Sequence, residues 1–264
     1  AAAGWLVGTA SAYERQRALY PEDVLGWLQE SQPESWAKAE RMHGRETAIT
    51  ITLDRLVKSL EKTDGGTVRV LRYGFPIAGA GMLLMSQAQP EDERNETVTR
   101  RYQANRLRVV SQLRYSENKT DELDLAFFIN GIPVATVELK TDFTQSVEAA
   151  IAQYRKDRPP ANEKTGLSEP LLTFKRGAVV HFAMSDSDIR MTTKLAGHAT
   201  YFLPFNRGNN GAKGNPPGEN NTYPVAYFWE QVLQKDNWLR MWTSEISAHD
   251  RSIPPLRRCT VGLL

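Results

Sequence analysis

Apolar and polar positions change rhythm several times along this chain, and each rhythm implies an element. Over residues 21–60 the apolar side chains recur three or four positions apart, the spacing of one helix face. Pro21, Glu22 and Asp23 open a first helix, with proline and acids in its first turn. Val24, Leu25 and Leu28 supply its apolar face. A second helix is predicted over 34–42. A third is predicted over 47–60, with Ile49, Leu53, Leu56 and Leu60 aligned, and Asp64-Gly65-Gly66 breaks it. The rhythm then shortens to two. Val68, Val70 and Arg72 alternate with Arg69 and Leu71, which predicts a strand over 67–73. Further strands are predicted over 82–85 and 107–115. Residues 123–140 form two β-branched and aromatic runs around Asn130-Gly131, a strong hairpin signal. A helix over 144–155 carries Val147, Ala150, Ile151 and Tyr154 on one face, and Pro159-Pro160 terminates it. A buried strand over 177–184 pairs with another over 189–193. This order implies an α/β fold with a mixed sheet.

The last part of the chain follows a different rule. Residues 206–221, NRGNNGAKGNPPGENN, form a loop rich in glycine and asparagine. It is not a phosphate-binding P-loop, because no Ser or Thr follows its lysine. A helical pair is predicted over 223–242. Its aromatics, Tyr227, Phe228, Trp229, Trp238 and Trp242, read as core or interdomain packing, with base stacking as the alternative.

The chemistry-bearing residues sit in the 123–140 hairpin. Asp124 lies near the start of the first run, and Glu138 and Lys140 close the second. Strand side chains alternate, so Glu138 and Lys140 share a face. Carboxylates on a buried hairpin are costly unless paired or bound to a cation. A hard divalent metal between Asp124 and Glu138, with the Leu139 carbonyl and with Lys140 beside it, removes that cost. Register decides whether the acids meet. A strict two-residue turn sets Asp124 opposite Val137 and points Glu138 to the other face. A three-residue turn, or a bulge, sets Asp124 opposite Glu138.

This D-x13-E-x-K arrangement resembles the PD-(D/E)xK nucleases, which use Mg²⁺ to cut phosphodiesters. The competing reading is an edge hairpin whose Glu138 and Lys140 are merely solvated.

Bulk properties narrow the class. The chain has 264 residues, 41% hydrophobic and 24% charged, as ordinary globular proteins have. The longest nearly apolar run, 75–85, is too short to span a bilayer and contains Pro76, Gly79 and Gly81. No secretory signal is evident. The single cysteine, Cys259, excludes an intrachain disulfide framework and fits a reducing cytoplasm. Net charge is only +2, yet Arg94, Arg100, Arg101, Arg106, Arg108 and Arg114 cluster together. They read equally as a solvated basic face or as phosphate contacts. The ends, Ala1-Ala2-Ala3 and RRCTVGLL, read as those of a fragment of a longer polypeptide.

Six segments in order resemble the amino-terminal part of the R (restriction, motor) subunit of type I restriction-modification enzymes. They are ALYPEDVLGWLQESQPESW, NRLRVVSQLRYS, DLAFFINGIPVATVELK, AIAQYRKDR, MTTKL and TYFLPFNRG...GNP...TYPVAYFWEQVL. The resemblance implies a single nuclease domain over 1–264. Its core spans about 45–205, and 206–264 extend towards a motor absent from this chain. It implies Mg²⁺ as cofactor, with ATP used only by the motor. It also implies double-stranded DNA and the methyltransferase and specificity subunits as partners, in the cytoplasm and away from membranes. Asp124 and Glu138 match the family's metal-binding acids and Lys140 its catalytic lysine. The family's Gln-x-x-x-Tyr element is matched only in part. Gln153 stands in the right neighbourhood, but Asp157 lies four residues on, and Ala150 lies four before Tyr154. Glu14, Glu22 and Glu46 are candidates for a further acid from an early helix. Two alternatives stay open: a stand-alone PD-(D/E)xK repair or junction-resolving nuclease, and a non-catalytic DNA-binding or assembly module. The FLPFN and GNP segments argue against the first.

Overall fold

Proline and glycine punctuate the helical start of the chain. The structure is a computed structural model that describes residues 4–143, 145–162, 165–209, 211–218 and 222–243. Thr144, Cys259 and the end of the predicted extension lie outside the described residues. A short strand, β1 (Trp5–Gly8), precedes the helices. Pro21 and Pro33 occupy first-turn positions of α1 (Pro21–Ser31) and α2 (Pro33–His43). Their missing N–H groups cost nothing there. Gly44, at φ 77°, separates α2 from α3 (Arg45–Glu61). α3 buries Ala48, Thr52, Leu53, Leu56 and Leu60.

The strand predicted over 67–73 is instead a helix, α4 (Thr67–Tyr73). Its buried residues are Thr67, Val70 and Leu71, at helical spacings of three and four. A seven-residue segment satisfies both periods, and its ends decide. Gly66 and Gly74, at φ 104° and 72°, bound it, and the Gly74 N–H donates to the Val70 carbonyl. The short strand predicted next is β3 (Gly81–Leu83), which pairs with β2 (Phe75–Ile77) in a separate two-stranded sheet.

Helix α5 (Glu96–Ala104) was not evident in the apolar pattern because it buries no residue. Its cap carries it: Asn95 Oδ1 accepts from the Val98 N–H at 3.2 Å. Asn95→Ala should cost about 1 kcal/mol of stability in urea unfolding. No measurable change would mean that α5 forms without its cap.

The central sheet has seven strands in the order β1-β4-β5-β6-β7-β8-β9. The later strands are β4 (Leu107–Arg114), β5 (Glu122–Ile129), β6 (Ile132–Leu139), β7 (Val180–Met184), β8 (Ile189–Thr192) and β9 (Leu203–Pro204). β1 is parallel to β4 and β6 to β7, and the other neighbours are antiparallel. The predicted mixed sheet is thus present, flanked by helices. One face packs on a core that includes Trp27, Leu56, Phe75 and Trp238. The other meets Tyr13, Tyr20, Leu172 and helix α6 (Val147–Asp157), through Val147, Ala150 and Tyr154. The helical pair predicted near the end is a π-helical turn at Phe228–Val232 followed by α7 (Lys235–Thr243). Tyr227, Phe228, Trp238 and Trp242 are buried as packing residues, and only Trp229 is exposed.

The arginine cluster is partly absorbed by the fold. Arg108 is buried and forms a two-pronged ion pair with Asp23 at 2.5 and 2.7 Å, stacked over the Tyr20 ring. Arg106 pairs with Glu30, Arg94 with Asp92, and Arg114 with Glu122. Among the described residues, only Arg100 and Arg101 of the six form no ion pair.

Candidate active site

The turn of the hairpin is the two-residue kind that Asn130-Gly131 favours. Asn130 has φ 49° and Gly131 φ 80°, and Ile129 pairs with Ile132. That register alone would point Glu138 away from Asp124. The register changes before the acids are reached. Phe128 pairs with Pro133, but Phe127 pairs with Ala135, so Val134 is the extra residue of a β-bulge. Its carbonyl accepts from the Val179 N–H at 3.0 Å instead.

The bulge reverses the parity of β6. Ile132 and Val134 lie in the helical core, and so do Ala135 and Val137. Without the extra residue, Glu138 would enter that apolar core with Ile132 and Val134. With it, Thr136 and Glu138 turn towards α6. Leu125 pairs with Val137, which sets Asp124 beside Glu138. The Leu139 N–H donates to Asp124 Oδ2 at 2.7 Å. Asp124 stands close enough for its charge to act on Glu138.

Their environments differ. Asp124 is half-buried, whereas Glu138 is fully buried. Burial pushes the Glu138 pKa from the usual 4.5 up to about 7, and the Asp124 charge adds to this. The opposing influence is Arg158, just after α6, whose Nε donates to Glu138 Oε1 at 2.8 Å. The other oxygen, Oε2, is buried and has no hydrogen-bond partner among the described residues. An orphaned carboxylate oxygen facing a second acid suits a small hard cation. Among the described residues, no three His, Cys, Asp or Glu side chains converge on a metal position. Two carboxylates with a backbone carbonyl form the candidate set, and Mg²⁺ often takes only one or two protein carboxylates.

Beneath the acids lies a buried polar chain. Thr136 Oγ1 is 2.8 Å from the Tyr154 hydroxyl and 2.7 Å from His181 Nδ1. Burial holds the His181 pKa near 3, so its ring is neutral. Burial, with the Glu138 charge next, raises the Tyr154 pKa well above its usual value. This chain anchors α6 to the sheet.

The type I restriction enzyme R protein N terminus is the family whose pattern matches residues 22–200. The chain belongs to this family. Comparison with curated proteins gave no match. The matched span holds both strands of the hairpin, α6 and Arg158.

Within this R protein N terminus, each residue singled out from the sequence has a place. Asp124 and Glu138 are brought side by side, and the Leu139 N–H donates to Asp124. The Lys140 N–H donates to the Met184 carbonyl at 2.9 Å, which extends the β6–β7 ladder. Strand alternation therefore carries its half-buried side chain to the Glu138 side. Gln153 is half-exposed on α6 and its side chain makes no hydrogen bond among the described residues, while its neighbour Tyr154 holds the buried position. Glu14 pairs with Arg17, and Glu22 lies 3.9 Å from Arg108. Glu46 is exposed in the first turn of α3. Sequence reasoning missed Arg158. The signal was weak: a buried Glu138 calls for a cationic partner, and YRKDRPP offers three basic residues. Among the described residues, no helix is long and apolar enough to cross a membrane.

Proposed function

We propose that this region is the Mg²⁺-dependent endonuclease of a type I restriction enzyme, hydrolysing phosphodiester bonds of double-stranded DNA. The observation that carries the reading is the bulge-corrected pairing of Asp124 with a buried Glu138 whose Oε2 lacks a partner. Asp124, Glu138 Oε2 and the Leu139 carbonyl would hold the cation. Bound there, it would acidify a water and neutralise charge on the phosphate. Lys140 orients the attacking water or the phosphate and stabilises the charge that develops in the pentacovalent transition state. Thr136, Tyr154 and His181 keep α6 fixed against the strand that bears Glu138. Gln153, half-exposed on that helix, contacts the DNA. The motor that uses ATP, and the methyltransferase and specificity subunits, belong to the assembled complex in this reading.

The test is DNA cleavage by the complete restriction complex carrying Lys140→Ala. Cutting should fall about 10²–10³-fold while ATP-driven translocation is retained. Unchanged cutting would defeat the nuclease reading. Loss of both activities in a folded complex would favour an assembly role for the hairpin.

A further inference from the structure

The candidate site contains a buried cation of its own. Arg158 is only 5% exposed and is held on several sides. Its Nε donates to Glu138 Oε1 at 2.8 Å, and its Nη2 donates to the Glu122 carbonyl at 2.7 Å. Asp121 Oδ2 lies 3.8 Å from Nη1, and the Tyr115 ring lies 5.9 Å from the guanidinium. These partners belong to the end of β4, the start of β5 and the end of β6. An arginine fixed this way cannot swing out to a phosphate. Its effect is on Glu138: one carboxylate oxygen is taken, and the other stays free and buried. Asp124 is treated alike, since the Leu139 N–H occupies Oδ2. Among the described residues, this leaves one oxygen of each acid without a hydrogen-bond donor.

We infer that Arg158 is a positioning residue that sets the cation selectivity of this site. The inference rests on the reading of Asp124 and Glu138 as cation ligands. With Oε1 drawn to the guanidinium, Glu138 presents Oε2 as its coordinating oxygen. One-oxygen coordination suits Mg²⁺, which requires near-octahedral geometry at about 2.0–2.1 Å and keeps several waters. Ca²⁺ takes roughly six to eight oxygens at longer distances and readily draws both oxygens of a carboxylate. Arg158 thus disfavours Ca²⁺ by holding the carboxylate turned so that its second oxygen faces the guanidinium. A lysine would preserve the charge but not the planar two-pronged hold on Glu138 and the Glu122 carbonyl.

Calorimetric titration of the purified protein with Mg²⁺ and with Ca²⁺ tests this. Wild type, Arg158→Met, Arg158→Lys and Asp124→Asn are compared, each checked for cooperative unfolding by circular dichroism. Arg158→Met should shift the Ca²⁺-to-Mg²⁺ affinity ratio about tenfold or more towards Ca²⁺. Arg158→Lys should shift it in the same direction by less. Asp124→Asn should weaken both cations. If Arg158→Met does not fold, Arg158→Lys decides. An unchanged ratio in a folded Arg158 variant, with cation binding still sensitive to Asp124→Asn, overturns the role of Arg158 alone. A wild-type protein that binds neither cation overturns the cation site and this inference together.

Discussion

Glu138→Gln should abolish DNA cleavage by the complete restriction complex and, without divalent cation, make the protein more stable. The two effects share one cause. Glu138 is fully buried beside Asp124, and these surroundings raise its pKa to about 7 although Arg158 opposes the rise. In the unfolded chain the group titrates near the usual 4.5. Below that value both states hold the proton, and the carboxyl adds no pH-dependent term. Between about 4.5 and 7 the unfolded chain releases its proton first, so the wild type loses stability as pH rises. Above 7 the loss is complete, on the order of 3 kcal/mol. An amide cannot ionise, yet its oxygen can still accept from Arg158. In EDTA, urea unfolding should therefore show almost no difference near pH 4 and a clear advantage for Glu138→Gln at pH 8. Equal stabilities at pH 8 would mean that the folded protein carries Glu138 at an ordinary pKa. The cleavage loss follows from the same substitution, because a neutral amide is a poor ligand for a hard divalent cation.

Gly131→Ala should destabilise the protein by several kcal/mol, enough to remove much of a typical domain's margin. Gly131 lies at φ 80°, where a Cβ is strained, at a cost of roughly 1–2 kcal/mol. Space adds a second penalty. A Cβ there would stand 2.4 Å from the Tyr20 carbonyl oxygen and 2.8 Å from the Val24 backbone nitrogen. Neither atom can move without shifting the start of α1. The Tyr20 N–H also donates to the Gly131 carbonyl at 2.9 Å, so the turn and α1 are joined at this point. Urea unfolding should show a midpoint far below that of wild type, or no folded baseline. A shift under about 1 kcal/mol would mean that α1 and the turn separate more easily than this packing implies.

Much of this architecture was legible because local chemistry and long-range packing agree. Asn130-Gly131 specified the turn, and proline and acids specified the start of α1. Apolar spacing gave α3, and the buried run over 177–184 gave β7. The acids Asp124 and Glu138 were recognisable as a problem: charged groups at the ends of apolar runs. The bulge that brings them together was only a logical requirement. Val134 is as apolar as its neighbours, and nothing in the residue itself marks it as the extra one. α4 was misread because seven residues satisfy a period of two as well as one of 3.6. α5 was hidden because a helix without a buried face leaves no apolar period to read. Arg158 was hidden for a different reason. A charged residue between a helix end and two prolines reads as surface, and its burial arises only where α6 meets β5 and β6. The arginines at 106 and 108 belong to a cluster that reads equally as a solvated face or as phosphate contacts, and their ion pairs with α1 become visible only once the sheet and that helix are packed.

The most direct measurement is anomalous scattering from crystals of this protein grown with Mn²⁺, a stand-in for Mg²⁺ with a detectable signal. A single peak is expected between Asp124 and Glu138 Oε2, at about 2 Å from each, with Arg158 still bonded to Oε1. No peak at this position, with the two carboxyl groups sharing a proton at saturating Mn²⁺, would contradict the assignment of this hairpin as the cutting centre.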